Sequence, residues 1–220
     1  MEKILKEIEN FIFDLDGTIL NSSQEVLKCL ELAYKETKTP YDKDKISSDV
    51  IGPPLKGIFK LISPEIKDGK TFDLLIEAYS SHYDHSKDDL SKMYDGMFEF
   101  LKKLNAKNKK LFIATNKPKT PTKRLLEQFN LDFFKDVYTI DKYDGREMSK
   151  QEMIAEIIDK YSLDKAKTAM IGDALHDSVS AKNNDIIAIG VLWGYGKEKD
   201  SLIEASNVVV KSTKELIDLI

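Results

Sequence analysis

Apolar residues recur along this chain in two rhythms. Short runs, several of them β-branched, occur at Asn10 to Phe13, Leu111 to Thr115, Val137 to Ile140, Thr168 to Ile171, Ile187 to Val191 and Val208 to Val210, each the length of one strand. Around the later runs, apolar positions repeat at helical spacing instead, as in Met97, Leu101 and Leu104, then Leu125, Leu126 and Phe129, then Met153, Ile154, Ile157, Ile158 and Tyr161. Strands alternating with helices predict an α/β fold, a parallel sheet covered on both faces. The stretch from Ile19 to about Lys92 breaks this rhythm. It has no clear strand run, and Val26, Leu27, Leu30, Ala33 and Tyr34 mark a helix. The pattern predicts a helical module, residues 20–91, inserted into a core made of residues 1–19 and 92–220. Its joints are expected near Ile19 to Ser22 and Ser91 to Gly96. Its first helix is expected to start at Ser22, with Glu25 completing a capping box, and to stop before Thr39-Pro40.

Composition narrows the functional classes. With 220 residues, 41% hydrophobic and 33% charged, the chain has enough apolar side chain for a core, which excludes intrinsic disorder. The 34 basic and 38 acidic residues give a net charge of −4, no footprint for nucleic acid. No apolar run approaches the ~20 residues of a membrane span. Neither nucleic acid nor a membrane is therefore expected as a partner. A lone Cys29 and the polar opening Met1-Glu2-Lys3 point to a cytoplasmic protein, monomer or homodimer. Arg124 and Arg146 are the only arginines, so a bound phosphate would have to be met by lysines, backbone N–H groups or a metal.

In an open α/β sheet, ligands bind beyond the carboxyl ends of the strands. The first run is followed there by Asp14-Leu15-Asp16-Gly17-Thr18, the second by Asn116-Lys117, and the fourth by Gly172-Asp173-Ala174-Leu175-His176-Asp177. Four carboxylates, Asp14, Asp16, Asp173 and Asp177, thus converge on one edge. Like charges so close repel unless a cation neutralises them. Oxygen-only donors favour a hard ion, and Mg²⁺ is the usual one where a phosphate completes the shell.

These segments resemble the motifs of the haloacid dehalogenase superfamily of phosphohydrolases, in particular its phosphoglycolate phosphatase-like branch with a helical cap after the first motif. The resemblance implies a Rossmann-like core with Asp14 as nucleophile and Asp16 as general acid/base. On a strand, residues two apart point to the same side, so both can address one substrate. Ile113-Ala114-Thr115-Asn116-Lys117 is similar to the second motif, which implies that the Thr115 hydroxyl and the Asn116 backbone N–H hold a phosphate oxygen. The third motif is a lysine. Lys150, at a helix start in Ser149-Lys150-Gln151, is the choice and Lys142 the rival; the family more often has Pro where Gln151 stands. The fourth motif resembles Gly172-Asp173 with Asp177. This implies Asp173 as a metal ligand, with the Asp14 carboxylate and the Asp16 backbone carbonyl, and leaves Asp177 as a direct ligand, a water-mediated one or the partner of Lys150.

Specificity is expected in the cap. Ile51-Gly52-Pro53-Pro54-Leu55 resembles a substrate-facing cap segment, and Thr18, Gly52, Pro53 and Lys117 complete the expected substrate-binding set. Many relatives carry a cap arginine, whereas both arginines here lie outside the cap, leaving Lys56 or Lys60 for that part. His176 reads as a neighbour at the rim, and His82 and His85 lack a third ligand. The segment Gly190 to Gly196 resembles a family segment after the fifth strand whose glycines let a loop lie near the active site; its role is expected to be structural, with Trp193 and Tyr195 as packing residues or cap contacts. The expected activity is Mg²⁺-dependent hydrolysis of a small phosphorylated metabolite (phosphoglycolate-like, nucleotide or sugar phosphate) through phospho-Asp14. The alternatives are a phosphosugar mutase on the same fold and a non-enzymatic phospho-receiver or binding module.

Overall fold

The computed structural model describes residues 6–67, 69–86 and 88–219. The opening Met1-Glu2-Lys3 lies outside them. In chain order the elements are β1 (Asn10–Phe13), β2 (Leu20–Asn21), α1 (Ser23–Thr37), α2 (Leu55–Ile62), α3 (Gly69–Asp84), β3 (Lys92–Met93), α4 (Met97–Ala106), β4 (Lys110–Thr115), α5 (Lys119–Gln128), β5 (Asp136–Thr139), α6 (Lys150–Tyr161), β6 (Thr168–Gly172), α7 (Leu175–Asn183), β7 (Ile187–Val191), α8 (Lys199–Ala205), β8 (Val208–Val210) and α9 (Thr213–Asp218). They form two compact units, one from Met1–Leu20 and Met93–Ile220, the other from Asn21–Lys92.

The first unit holds a six-stranded sheet in the order β5-β4-β1-β6-β7-β8, with every pairing parallel. Successive strand residues point to opposite faces, and the sequence supplies an apolar residue to each. Phe11, Phe13, Leu111, Ile113, Ala169, Ile171, Ile189 and Val191 pack with Phe100 and Leu104 of α4, Leu125 of α5 and Leu216 of α9. Ile12, Phe112, Ala114, Met170 and Ala188 pack on the other side with Met153, Ile154 and Ile157 of α6 and Ala181 of α7. Burial on both faces is why the runs read as continuously apolar rather than alternating. Phe13 stands level with Ile113 and Ile171, and Ile171 with Ile189. Asp14, Thr115 and Asp173 therefore leave the sheet along one edge.

The second unit is helical, and its interior is aromatic. The Tyr34 ring stacks on Tyr41 with centroids 4.4 Å apart and meets Phe59 edge-on at 5.7 Å, while Tyr79 stacks on Tyr83 at 5.2 Å. The Tyr34 hydroxyl shares a 2.9 Å hydrogen bond with Ser63 Oγ. Helix α1 ends at Lys38 in the left-handed conformation, φ 52°, just ahead of Thr39-Pro40 as expected. It starts after Ser22 as expected, but without the expected capping box, because the Ser22 side chain makes no capping bond. Asn21 Oδ1 instead accepts from the Ser23 backbone N–H at 3.2 Å and hydroxyl at 2.7 Å. Glu25 is buried and accepts a hydrogen bond from the Ser91 hydroxyl, a long-range partner that outcompetes the local cap.

The short strands β2 and β3 pair with each other. Two residues are too few to show a period, so the sequence pattern does not reveal them. Among the described residues no helix is long and apolar enough to cross a membrane.

Candidate active site

Asp14 follows directly on β1, its N–H donating to Ile171 O at 2.9 Å. Its carboxylate is buried and meets Lys150, whose Nζ donates to Asp14 Oδ1 at 2.6 Å and to Ala114 O at 2.7 Å. The same ammonium lies 3.1 Å from Asp177 Oδ1. Lys150 is the first residue of α6, and a capping box sets where that helix begins. Ser149 Oγ accepts from the Glu152 N–H at 3.2 Å, and Glu152 Oε2 accepts from the Ser149 N–H at 2.8 Å. Burial opposes the charge on Lys150, but Asp14 and Asp177 outweigh it and hold the ammonium well above the usual lysine range. Lys142 points elsewhere. Its Nζ donates to Asp136 Oδ1 at 2.9 Å and Val137 O at 3.1 Å, over the Tyr138 ring.

Asp14, Asp173 and Asp177 offer carboxylate oxygens that all lie within 4.8 Å of one another, and all three residues are buried. Burial, then Asp14 and Asp177, push the Asp173 carboxyl up to about 8. Burial, with Asp177 beside it, also raises Asp14 against the opposing pull of Lys150. Burial would raise Asp177 too, yet Lys150, His176 and the Ala174 N–H together hold its carboxyl below the usual range. Asp177 Oδ2 accepts from the Ala174 N–H at 3.1 Å, whereas Oδ1 faces the Lys150 ammonium at 3.1 Å and His176 Nε2 at 3.5 Å. Three buried carboxylates whose oxygens lie within 4.8 Å of one another fit a divalent cation, and oxygen-only donors fit a hard one. The Asp16 carboxylate is not in this triad. Its Oδ2 lies 2.9 Å from the Nζ of buried Lys117.

Asp173 is held by more than its own strand. The N–H groups of Tyr195 and Gly196 donate to its Oδ2 at 2.7 and 3.1 Å, and Thr18 Oγ1 donates to its Oδ1 at 3.3 Å. The segment after β7, expected to be structural, is thus part of the acidic site. Its glycines were the legible signal. A Cβ on Gly194 would stand 2.3 Å from both Asp173 Oδ2 and Gly17 O, so only glycine permits this approach. Gly17 is under the same constraint at φ +83°, where a Cβ would meet Asp173 at 2.4 Å. Trp193 does more than pack, donating from Nε1 to Thr18 O at 3.1 Å.

The other expected residues divide. Thr18, expected to face substrate, has no exposed surface and serves Asp173 instead. Thr115 is buried at the end of β4, its Oγ1 accepting from the Lys117 N–H at 3.2 Å. Half-buried Asn116 has its side-chain nitrogen 3.4 Å from His176 Nε2, placing His176 beside the motifs. Gly52 and Pro53 belong to the helical unit, where both are exposed. His82 pairs with Glu36 at 2.7 Å, and His85 Nδ1 lies 3.1 Å from Ser81 O.

The chain is similar to several known proteins. Pyrophosphatase PpaX of Halalkalibacterium halodurans is 28% identical over 97% of both chains. Tyrosine-protein kinase PtkA of Mycobacterium tuberculosis is 25% identical over 94% of this chain and 70% of its own length. Among solved structures, a predicted phosphatase from Clostridium acetobutylicum superposes with a TM-score of 0.82 at 28% identity, covering 96% of this chain and 97% of that one. The family model described as haloacid dehalogenase-like hydrolase matches residues 11–191, from β1 through β7 and so across every acid and lysine of the site; the chain belongs to that family.

Proposed function

We propose that this hydrolase is a Mg²⁺-dependent phosphatase that cleaves a small phosphorylated metabolite, phosphoglycolate-like, nucleotide or sugar phosphate, through a phospho-Asp14 intermediate. The observation that carries this reading is the buried Asp14 carboxylate, paired with Lys150 at 2.6 Å beside two further acids. An Asp14 oxygen attacks phosphorus while the bond to the leaving oxygen breaks. The departing oxygen keeps that electron pair and takes a proton from the Asp16 carboxyl. Water then attacks phosphorus, surrenders a proton to the Asp16 carboxylate and displaces the Asp14 carboxylate, which releases inorganic phosphate. Lys150 orients Asp14 and neutralises charge on the phosphoryl oxygens, and the Thr115 hydroxyl and Asn116 N–H hold those oxygens. Asp14, Asp173, Asp177 and the Asp16 carbonyl would hold Mg²⁺, whose charge, when it is bound, offsets that of the acids and the phosphate. The helical unit would select the leaving group.

The test is phosphate release from a panel of p-nitrophenyl phosphate, phosphoglycolate, nucleoside monophosphates, sugar phosphates and pyrophosphate, with Mg²⁺ and with EDTA. Metal-dependent release is expected, falling by about 10⁴-fold or more in Asp14→Asn. Interconversion of sugar phosphates without release would replace the phosphatase by a mutase. A stable acyl phosphate without turnover would replace it by a receiver.

A further inference from the structure

Each aspartate of the first motif has its own buried lysine. Lys150, from α6, serves Asp14, while Lys117, from the loop after β4, lies 2.9 Å from Asp16 Oδ2. Lys117 is the less expected of the two. Lysine ordinarily keeps its ammonium in water, yet this side chain is 4% exposed while the carboxylate it meets is 23% exposed. Ordering such a long side chain costs rotamer entropy, and dehydrating its charge costs more, so a defined partner must repay both. The backbone fixes where the ammonium goes, because the Lys117 N–H is tied to Thr115 Oγ1 at 3.2 Å. The Asp16 backbone is held as well, in a turn closed by Gly17 N–H to Leu20 O at 2.8 Å. Backbone geometry leaves the two side-chain torsions of Asp16 open, and an ammonium on Oδ2 sets them.

We infer that Lys117 is a positioning residue for Asp16, aiming its carboxyl at the leaving oxygen, rather than a ligand for the substrate's phosphate. The inference rests on the proposed role of Asp16 as the acid that protonates that oxygen. In that step the bond from phosphorus to the leaving oxygen breaks, its electron pair stays on that oxygen, and the proton passes to it from Asp16. A misaimed carboxyl therefore costs most where the leaving oxygen is basic and needs the proton early, and little where it departs as a stable anion.

The experiment compares kcat/KM for phenyl phosphate and p-nitrophenyl phosphate, substrates of similar shape whose leaving groups differ in basicity. The ratio kcat/KM ends at phosphoryl transfer and excludes the later hydrolysis. Lys117→Met is expected to lose about 10²-fold on phenyl phosphate and only a few-fold on p-nitrophenyl phosphate. Asp16→Asn should show the same selectivity, and the double variant should be no worse than Asp16→Asn alone. Lys117→Arg, which keeps the charge, should recover part of the phenyl phosphate rate. Equal losses on both substrates with a raised KM would make Lys117 a phosphate ligand, and additive losses in the double variant would separate it from Asp16; either result overturns the inference. So would circular dichroism showing both Lys117 variants unfolded, which would make the lysine structural. Absence of leaving-group selectivity in Asp16→Asn itself would instead refute the role of Asp16, a distinct failure.

Discussion

The two units keep their polar groups in opposite ways. The α/β unit buries Asp14, Thr115, Lys117, Lys150, Asp173 and Asp177 along one sheet edge, whereas the helical unit fills its interior with the rings of Tyr34, Phe59, Tyr79 and Tyr83. Buried charges cost stability even when paired. The α/β unit can carry them because two continuous apolar layers, one on each face of the sheet, stabilise the strands that present them. The helical unit is smaller and encloses a smaller core. Among its described residues Glu25 is the buried carboxylate, and it is tied to Ser91. Chemistry is thus concentrated where the scaffold has stability to spare.

Breaking the polar edge should have the largest effect. Lys150→Ala leaves Asp14 and Asp177 as buried acids without their ammonium. It is expected to cost about 3–5 kcal/mol in urea denaturation and to lower kcat by about 10²–10³-fold. Lys142→Ala should leave turnover unchanged, since Asp136 keeps Lys160 at 2.8 Å; a comparable loss of turnover there would exchange the two lysines.

Gly194→Ala drives a methyl group into Asp173 and should weaken Mg²⁺ binding by about 10–100-fold in calorimetric titration, with the sheet intact. Unchanged affinity would mean that Asp173 does not bind the metal.

A pH series in EDTA sharpens the contrast further. Asp173 is raised to about 8 by burial and by its acidic neighbours, so between roughly pH 4 and 8 the folded protein holds a proton that the unfolded chain has released. The metal-free protein should therefore lose stability as pH rises through that window, by about 2–4 °C in Tm for each kcal/mol. Asp177, lowered by Lys150, acts in the opposite sense, its contribution being lost only as pH falls below the usual carboxylate range. Mg²⁺ should flatten the loss at high pH; a Tm that rises with pH in EDTA would contradict the Asp173 shift.

The smallest effect is expected in the helical unit. Tyr34→Phe removes the bond to Ser63 and should cost about 1 kcal/mol, with p-nitrophenyl phosphate turnover unchanged.

The sequence by itself determined the strands, the parallel sheet and the strand-end positions of Asp14, Thr115 and Asp173, because strand period and strand-end position are local properties that hydrophobic order records. It brought the four acids to one edge, since in a parallel sheet every strand ends on the same side. Long-range partners were decided only by tertiary structure. Lys150 and Lys142 are both lysines beside an apolar run, and only the packing of α6 against β4 puts one of them on Asp14 and leaves the other on Asp136. Glu25 reads as a local cap until Ser91, distant in sequence, takes its carboxylate. Tyr195 reads as packing because its contribution to Asp173 comes from its backbone N–H, which no residue type advertises. Likewise Lys117 follows a phosphate-binding motif in sequence, and only three-dimensional proximity turns its ammonium towards Asp16. Local periodicity specifies the scaffold, whereas the partner of a buried charge depends on which chain segments the fold brings within a few ångströms of it.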